Sequence, residues 1–370
     1  MSDYSNLFCI QPWSRIDVYT NGSVFYCCPA WIGGKSVGNL FEQSWQEIWN
    51  GDIIKEARQG MHDGTFKHCL DTECPHLKET KFYEPVYERN NIEQLYEDLD
   101  SVKDFRKIFE NKEVHDNTGP TSVVMSYDQS CNLQCPTCRP AMQMITPKSH
   151  NYDRMVKLHK IVTEEVITHC DMITLAGSGD AFGSPLLRDF LRNFDPVKYK
   201  NINYVHPMTN ALLWNSKMWD SMKSVHPLVK TAYISVDAVT SETYNKVRTL
   251  KPSHGNFEQL IENLKFINTI PTLETIVMTY TVSNMNYHEV DRFFELKEFL
   301  PDKDINWYFY KVNNWGHFDE KFAEFAIHEP SHPNHQDFLK YWKRCLENGK
   351  GERMRHTLHG VKFPGGNITI

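Results

Sequence analysis

Apolar and polar residues follow two repeating patterns along this chain, one typical of strands and one typical of helices. From residue 119 onward, short apolar runs recur, and most are followed by a segment with apolar residues three and four positions apart. Alternation of this kind is typical of an α/β fold, and it predicts a parallel barrel or open half-barrel with ligands at the carboxyl ends of its strands. The six predicted strands are Val123–Tyr127, Met172–Ala176, Asn203–Met208, Ala232–Val236, Thr275–Val282 and Ile305–Val312.

Helical spacing marks segments between and around these strands. Residues 79–118 combine many charged side chains with apolar residues at helical spacing, which predicts an amphipathic connector with a solvated face. Further helices are predicted over residues 155–166, 257–267, 290–296 and 338–346. We therefore expect four parts: a module of residues 1–78, the connector 79–118, the barrel 119–318 and a helical extension 319–370.

The first 78 residues predict a small module rich in cysteine. Arg15–Tyr19 and Ser23–Cys27 read as strands, and Asn21-Gly22 between them is a strong hairpin signal. Ser44–Glu47 has the form of a capping box that starts a helix. A module this short has little core, so we expect a bound metal or cluster to stabilise it. The candidate ligands are Cys9, Cys27, Cys69 and Cys74, with Cys28 as an alternative to Cys27.

A second group of cysteines follows the first predicted strand of the barrel. Cys131, Cys135 and Cys138 have the spacing C-x3-C-x2-C. A structural zinc site takes four protein ligands, whereas a four-iron cluster held by three thiolates keeps one iron open for a substrate. A zinc knuckle completed by a distant cysteine or histidine remains the alternative at this point.

Composition narrows the class of protein. The 370 residues carry a formal charge of −7, and no run of lysine and arginine indicates binding to nucleic acid or to an anionic membrane. The amino terminus lacks the pattern of a signal peptide, and no apolar stretch reaches membrane-spanning length. We therefore expect a cytoplasmic protein whose ten cysteines are metal ligands and buried thiols rather than a disulfide framework.

The loop with three cysteines resembles the cluster-binding signature of the radical S-adenosylmethionine (SAM) superfamily. The resemblance implies that Cys131, Cys135 and Cys138 hold a [4Fe-4S] cluster whose open iron binds SAM. It also implies reductive cleavage of SAM to a 5'-deoxyadenosyl radical, with the electron supplied by a reductase such as flavodoxin or ferredoxin.

Residues that follow the later strands extend this resemblance. Gly177, Ser178, Gly179 and Asp180 occupy the place of the superfamily's Gly-Gly-Glu motif, which binds the methionine portion of SAM. By the same resemblance, the further SAM contacts are Asn210, Ser235 and Asn284. Asp237 and Arg248 are similar to the family's S-x-D-G…R residues and are candidate catalytic residues, and a structural ion pair is the alternative role for them.

The amino-terminal cysteine pattern resembles the SPASM/twitch extension of radical SAM enzymes, which holds an auxiliary [4Fe-4S] cluster. The resemblance runs from Cys9 through Gly22 and on to Cys74, and its G-x4-C spacing favours Cys27 over Cys28. In most relatives the extension follows the barrel, whereas here it precedes it. Thiolate tetrads also bind zinc, so a zinc site is the alternative.

These features predict an enzyme that abstracts hydrogen from an organic substrate and oxidises or rearranges it with help from the auxiliary cluster. The substrate is a small molecule or a peptide, and a peptide- or protein-modifying maturase is the alternative within the enzyme class. A non-catalytic zinc-binding scaffold is the alternative of another class. Neither nucleic acid nor a membrane is an expected partner.

Overall fold

The computed structural model of the chain describes residues 4–78, 85–99, 101–248, 255–314, 318, 321–358 and 361. The start of the predicted connector and the end of the predicted extension lie outside the described residues. The strands are β1 (Leu7–Cys9), β2 (Arg15–Tyr19), β3 (Ser23–Phe25), β4 (Gly38–Asn39), β5 (Val86–Glu88), β6 (Ser122–Ser126), β7 (Met172–Leu175), β8 (Tyr204–Thr209), β9 (Thr231–Ser235), β10 (Thr275–Val282), β11 (Asp304–Lys311) and β12 (Arg353–His356).

Helices separate most of these strands. The α-helices are α1 (Gln11–Ser14), α2 (Trp45–Trp49), α3 (Asp52–Asp63), α4 (Pro75–Lys78), α5 (Glu93–Leu99), α6 (Phe105–Glu110), α7 (Tyr152–Ile161), α8 (Pro185–Arg192), α9 (Ser216–Asp220), α10 (Ser241–Arg248), α11 (Phe257–Asn268), α12 (Phe322–Phe325) and α13 (His335–Asn348). Helices of the 3₁₀ type cover Pro29–Trp31, Arg89–Asn91, Ile167–His169, Lys223–Leu228 and Tyr287–Phe299, and a π-helical turn covers Val162–Val166.

The chain forms two compact units. The first comprises the residues up to Asp128 together with Pro147–Ser178 and Asp195–Val205. The second comprises Gln129–Thr146, Gly179–Phe194 and the residues from His206 onward.

In the first unit, the amino-terminal hairpin extends a parallel sheet. Strand β6 pairs in parallel with β7 on one side and with β2 on the other. The hairpin itself forms as predicted: β2 pairs antiparallel with β3, and Gly22 takes the left-handed conformation (φ +84°) that the turn requires. The cysteine-bearing module is therefore hydrogen-bonded to the strand that leads to the second group of cysteines.

A buried lysine ties the connector to this module. Lys103 Nζ donates to the carbonyl oxygens of Trp13, at 2.6 Å, and Gly119, at 2.7 Å, and to the Asp116 carboxylate. Burial lowers the pKa of Lys103 to about 8, against the opposing effect of Asp116. Three acceptors around one ammonium group satisfy its hydrogen-bonding capacity inside the core.

In the second unit, β8 to β12 form a parallel sheet. Strand β9 lies between β8 and β10, and β11 lies between β10 and β12. Because strands β6 to β11 match the six predicted strands to within one or two residues, the predicted α/β class with mainly parallel strands is confirmed.

The structure departs from the sequence pattern in two places. The predicted helix after β10 forms, but its described turns, Tyr287–Phe299, are of the 3₁₀ type. Strand β12, Arg353–His356, was not predicted, since the sequence Arg-Met-Arg-His lacks an apolar run. No helix in the described part of the chain has the length and apolar character needed to cross a membrane.

Candidate metal centres

The loop after β6 folds back on itself and holds its three cysteines close to its own backbone. The Cys131 amide donates to the carbonyl oxygen of Gln143 at 2.9 Å, and the Cys138 amide donates to that of Cys135 at 3.0 Å. The Ile145 amide donates to Ser130 Oγ at 2.8 Å. Cys131 and Cys135 are buried, whereas Cys138 is exposed.

Each of these three thiols faces the N–H groups of one side chain. Asn210 Nδ2 lies 3.8 Å from Cys131 Sγ, and Arg248 Nη1 lies 3.6 Å from Cys135 Sγ. Nitrogen atoms Nε and Nη2 of Arg139 both lie 3.4 Å from Cys138 Sγ. Hydrogen bonds to sulfur stabilise thiolates and tune a bound cluster. Sequence reasoning identified Asn210 and Arg248 from family motifs but missed Arg139, whose position directly after Cys138 was the available signal.

Burial disfavours the thiolate form of the two inner cysteines. It raises the pKa of Cys131 to about 12, with Asp180 acting in the same direction and Arg139 against it. Burial also raises the pKa of Cys135, and the Arg248 guanidinium is the main opposing influence. A bound cation would supply the charge compensation that buried thiolates need.

Two buried donors beside these thiols have no hydrogen-bond acceptor among the described residues. They are Asn132 Nδ2 and the hydroxyl of Tyr244. Tyr244 is fully buried, and Arg248, Cys135 and Asp237 are among the charged neighbours that affect the pKa of its phenol. Since the sulfides of an iron-sulfur cluster accept hydrogen bonds, unpartnered donors around a three-thiol set fit such a cluster.

Arg248 is held between a carboxylate and a thiol. Its Nη2 lies 3.0 Å from Asp237 Oδ2, and its Nε donates to the Val236 carbonyl oxygen at 3.1 Å. Asp237 also accepts a hydrogen bond from the Thr281 amide at 2.7 Å. Asp237 and Arg248 therefore form the buried ion pair that was the alternative role for them. Arg248 also contacts Cys135.

The helix that carries Tyr244 and Arg248 is anchored by a buried glutamate. Glu289 accepts hydrogen bonds from the Val239 amide, at 2.7 Å, and from Thr243 Oγ1, at 2.7 Å. Tyr244 and Arg248 are one helical turn apart on α10, so they lie on the same face of it. Glu289 thus anchors the amino-terminal end of α10, next to Tyr244.

Asp180 is saturated by donors from its own loop and from the end of β8. Its carboxylate accepts from the amides of Phe182, Gly183 and Asn210 at 2.7 to 2.9 Å, and from Thr209 Oγ1 at 3.0 Å. Burial raises the pKa of this carboxyl against the combined effect of these donors. The contacts show how Asp180 positions the loop with Asn210, while its predicted contact with SAM stays a prediction.

Residues just after three of the strands have left-handed backbones without being glycine. They are Ala176 after β7, Ala211 after β8 and Asp237 after β9, with φ values of +68°, +61° and +62°. This conformation costs about 1–2 kcal/mol for a residue other than glycine, and such strain clusters at functional sites. Ala211 directly follows Asn210, one of the SAM contacts that the family resemblance implies.

The remaining predicted SAM contacts are distributed over both units. In the second unit, Ser235 Oγ accepts a hydrogen bond from Thr279 Oγ1 at 2.9 Å, and Asn284 Oδ1 is buried without a partner among the described residues. Gly179 belongs to the same unit. In the first unit, Ser178 Oγ donates to the Ser126 carbonyl oxygen, and a Cβ atom on Gly177 would lie 2.0 Å from Ser126 Oγ.

Four of the five cysteines in the amino-terminal module meet around one cavity of the first unit. Cys9, Cys27, Cys69 and Cys74 all line this cavity, together with apolar and aromatic side chains. Cys9 lies at the end of β1, Cys27 follows β3, and Cys74 precedes α4. His76 also lines the cavity, whereas Cys28 is not among its lining residues. The structure therefore brings together the tetrad proposed from the sequence.

Burial raises the pKa of all four thiols in this cavity. The pKa of Cys69 rises to about 12, mainly through burial and then through the neighbouring Cys74. Burial also raises the pKa of Cys27, and the Arg15 guanidinium is the main influence in the opposite direction. Because thiols that repel each other as thiolates gain most from a shared cation, this donor set fits a metal cluster. No group of three or more His, Cys, Asp or Glu side chains in the described residues is arranged around a single metal-ion position.

A comparison with protein families identifies this module. Residues 9–75 match the family described as SPASM, an iron-sulfur cluster-binding domain. The amino-terminal module is therefore similar to SPASM iron-sulfur domains. Its match begins at Cys9 and includes Cys27, Cys69 and Cys74. The predicted SPASM resemblance is confirmed, and the matched residues precede strands β6 to β11.

Comparisons of the whole chain are more distant. A search of curated protein sequences found no match. The chain is similar to a structure of TYW1 with a lysine-pyruvate adduct bound, at 18% identity and a TM-score of 0.37, over 62% of this chain and 72% of that one. It is also similar to a radical SAM methyltransferase from Sphaerobacter thermophilus, at 12% identity and a TM-score of 0.37, over 63% of this chain and 64% of that one.

Proposed function

We propose that this chain is a radical SAM enzyme with an auxiliary SPASM cluster. The observation that carries the proposal is the loop Cys131–Cys138, in which each of the three thiols faces the N–H groups of one side chain. Three thiolates leave one iron of a [4Fe-4S] cluster open, and an iron with an open position can bind a cofactor. When bound, the cluster supplies the electron that cleaves SAM to methionine and a 5'-deoxyadenosyl radical.

The residues of the second unit have separate roles in this proposal. Cys131, Cys135 and Cys138 are the ligands, and Asn210 and Arg248 orient two of the thiols. Asp180 holds the loop that leads to Asn210. Asn284 Oδ1, which is buried and unpartnered among the described residues, is a hydrogen-bond acceptor available to SAM. Of the earlier candidates, Asp237 and Arg248 act here through the cluster thiols rather than on the substrate.

The SPASM domain gives the reaction an electron acceptor. Removal of a hydrogen atom leaves a substrate radical, and its oxidation to a closed-shell product releases one further electron. A second cluster with four thiolate ligands, Cys9, Cys27, Cys69 and Cys74, has no open iron and is suited to electron transfer. The substrate in this proposal is an organic small molecule or peptide, and the reductant is a flavodoxin or ferredoxin.

The test is anaerobic reconstitution with iron and sulfide, followed by measurement of iron and of 5'-deoxyadenosine formed from SAM with dithionite. We expect about eight irons per chain, from two four-iron clusters. Replacement of Cys131, Cys135 and Cys138 by alanine should halve the iron and abolish SAM cleavage. Replacement of the isolated Cys170 by alanine is the matched control and should change neither quantity.

Two results would contradict the proposal. Full cleavage of SAM by the triple variant would show that the loop is not the cluster site. Stoichiometric zinc and a colourless protein after anaerobic purification would instead favour a zinc scaffold.

A further inference from the structure

Arg139 is buried in a loop whose neighbouring residues are exposed. Its side chain is 8% exposed, although Cys138, Pro140 and Ala141 are all exposed. Its Nη1 donates to the Gln129 carbonyl oxygen at 2.6 Å, which anchors the guanidinium to the backbone. The same group directs Nε and Nη2 at Cys138 Sγ, each at 3.4 Å. Burial of an arginine costs conformational entropy and hydration, so a fixed position of this kind needs a compensating interaction.

The guanidinium of Arg139 lies against Cys138, which belongs to the same loop as Cys131 and Cys135. A cation held beside three thiolates stabilises them and any additional negative charge on a cluster that they hold.

Arg248 differs from Arg139 in that it forms an ion pair with a carboxylate. Although Arg248 also contacts a thiol, its guanidinium forms an ion pair with Asp237 at 3.0 Å. The Asp237 carboxylate offsets much of its field at the thiols. Arg139 instead presents two of its N–H groups to one thiol. We therefore expect Arg139 to contribute a larger positive potential at the thiols than Arg248.

We infer that Arg139 is a positioning residue that raises the reduction potential of the cluster held by Cys131, Cys135 and Cys138. The inference rests on the proposed function, because it needs a cluster at these thiols. Reduction adds one electron from flavodoxin or dithionite to the cluster and makes it more negative by one charge. The fixed guanidinium stabilises the reduced form more than the oxidised form, so the cluster accepts that electron more readily.

The test is a potentiometric titration of the reconstituted full chain, followed by electron paramagnetic resonance. The cluster of interest is the one whose signal changes when SAM is added. In R139Q, we expect the ratio of reduced to oxidised cluster at a fixed potential to fall about tenfold, equivalent to a downward shift of about 59 mV for one electron. R139K keeps the charge without the planar fork, so its ratio should lie between those of wild type and R139Q.

The control is R192Q, which removes a positive charge from the same unit. Arg192 is exposed and donates to Ser221 Oγ at 3.3 Å, so its loss should leave the potential unchanged. An unchanged potential in R139Q, with normal cluster content, overturns the inference and leaves the proposed function intact. If R139Q does not take up the cluster, R139K decides: a lowered ratio supports the inference, and a wild-type ratio overturns it. A wild-type chain without a SAM-responsive signal overturns both proposals.

Discussion

The backbone amide of Asn210 donates a hydrogen bond to the Asp180 carboxylate at 2.7 Å, and Asn210 Nδ2 lies 3.8 Å from Cys131 Sγ. One residue thus links a buried acid to a candidate cluster ligand. Both residues belong to the second unit, so the contact fixes the residue that follows β8 to the loop that carries Asp180.

Replacement of Asp180 by asparagine should destabilise the metal-free protein. The carboxylate accepts backbone hydrogen bonds on both oxygens, so one donor would face the new amide N–H₂ group in either rotamer. We expect a loss of about 2 kcal/mol in the free energy of unfolding in urea. Asp189→Asn on the exposed side of α8 is the control and should change it by less than about 0.5 kcal/mol. Equal stabilities of the two variants would contradict this role of Asp180.

Removal of the Tyr244 hydroxyl should have different effects with and without the cluster. In the metal-free protein the buried hydroxyl has no acceptor among the described residues, so Tyr244→Phe should stabilise the fold by about 1 kcal/mol. In the loaded protein the hydroxyl can donate to a cluster sulfur. Tyr244→Phe then removes this hydrogen bond and should no longer stabilise the fold. The measurement compares the melting temperatures of both forms. A variant destabilised in the metal-free form would disprove the idea.

The adjacent Cys27 and Cys28 should differ in their effect on iron content. Cys27 lines the cavity shared by Cys9, Cys69 and Cys74, and Cys28 does not. If the chain holds two four-iron clusters, Cys27→Ser should remove one of them and reduce the iron content by about half. Cys28→Ser should leave the iron content unchanged. Iron and sulfide analysis of the two purified variants checks this. Iron loss in Cys28→Ser alone would reverse the assignment.

A side chain at Gly177 should destabilise the first unit through a clash with Ser126. The added Cβ would lie 2.0 Å from Ser126 Oγ and 3.0 Å from Val124 Cγ1. Gly177→Ala should cost about 1–3 kcal/mol in the free energy of unfolding. Adding Ser126→Ala removes the closest atom and should recover part of that loss, which a double-mutant cycle would measure. Additive effects of the two substitutions would show that the clash is not the cause.

Acid should destabilise the protein partly through His206. Burial lowers the pKa of His206 to about 4, below the value of about 6.5 for an exposed histidine. Between about pH 6.5 and pH 4, His206 is therefore protonated in the unfolded chain but neutral in the folded chain. The free energy of unfolding falls as the pH drops through this range. Between about pH 7 and pH 5, wild type should lose about 1–2 kcal/mol more than His206→Gln. His150→Gln, at an exposed position, should lose as much as wild type, and equal losses in all three would contradict the prediction.

Local patterns in the sequence were sufficient for much of the fold. Period-two and period-three-to-four apolar spacing depends on which face of an element is buried, so β10 was predicted with the bounds that the structure has. The capping box at Ser44 and Glu47 and the Asn-Gly hairpin also formed, because both depend on neighbours within a few positions.

Contacts between distant segments could not be predicted in this way. The pairing of β2 with β6 depends on a sheet edge that only the folded chain presents. Arg139, beside Cys138, followed no known motif, since an arginine after a cysteine is usually a surface charge. The unpartnered Tyr244 hydroxyl was likewise invisible, because Tyr244 reads as one more apolar position of a helix.

The parallel pairing of β2 with β6 has a consequence for biosynthesis. Ser122 pairs with Arg15, so the two strands are separated by about a hundred residues of chain, and a ribosome adding about 5–20 residues per second needs on the order of 5–20 s to make them. During that interval the hairpin of β2 and β3 has left the ribosome while the partner of β2 has yet to be translated. An unpaired strand edge is a template for association with other chains. Slower translation lengthens the time for which this edge of the nascent hairpin is unpaired.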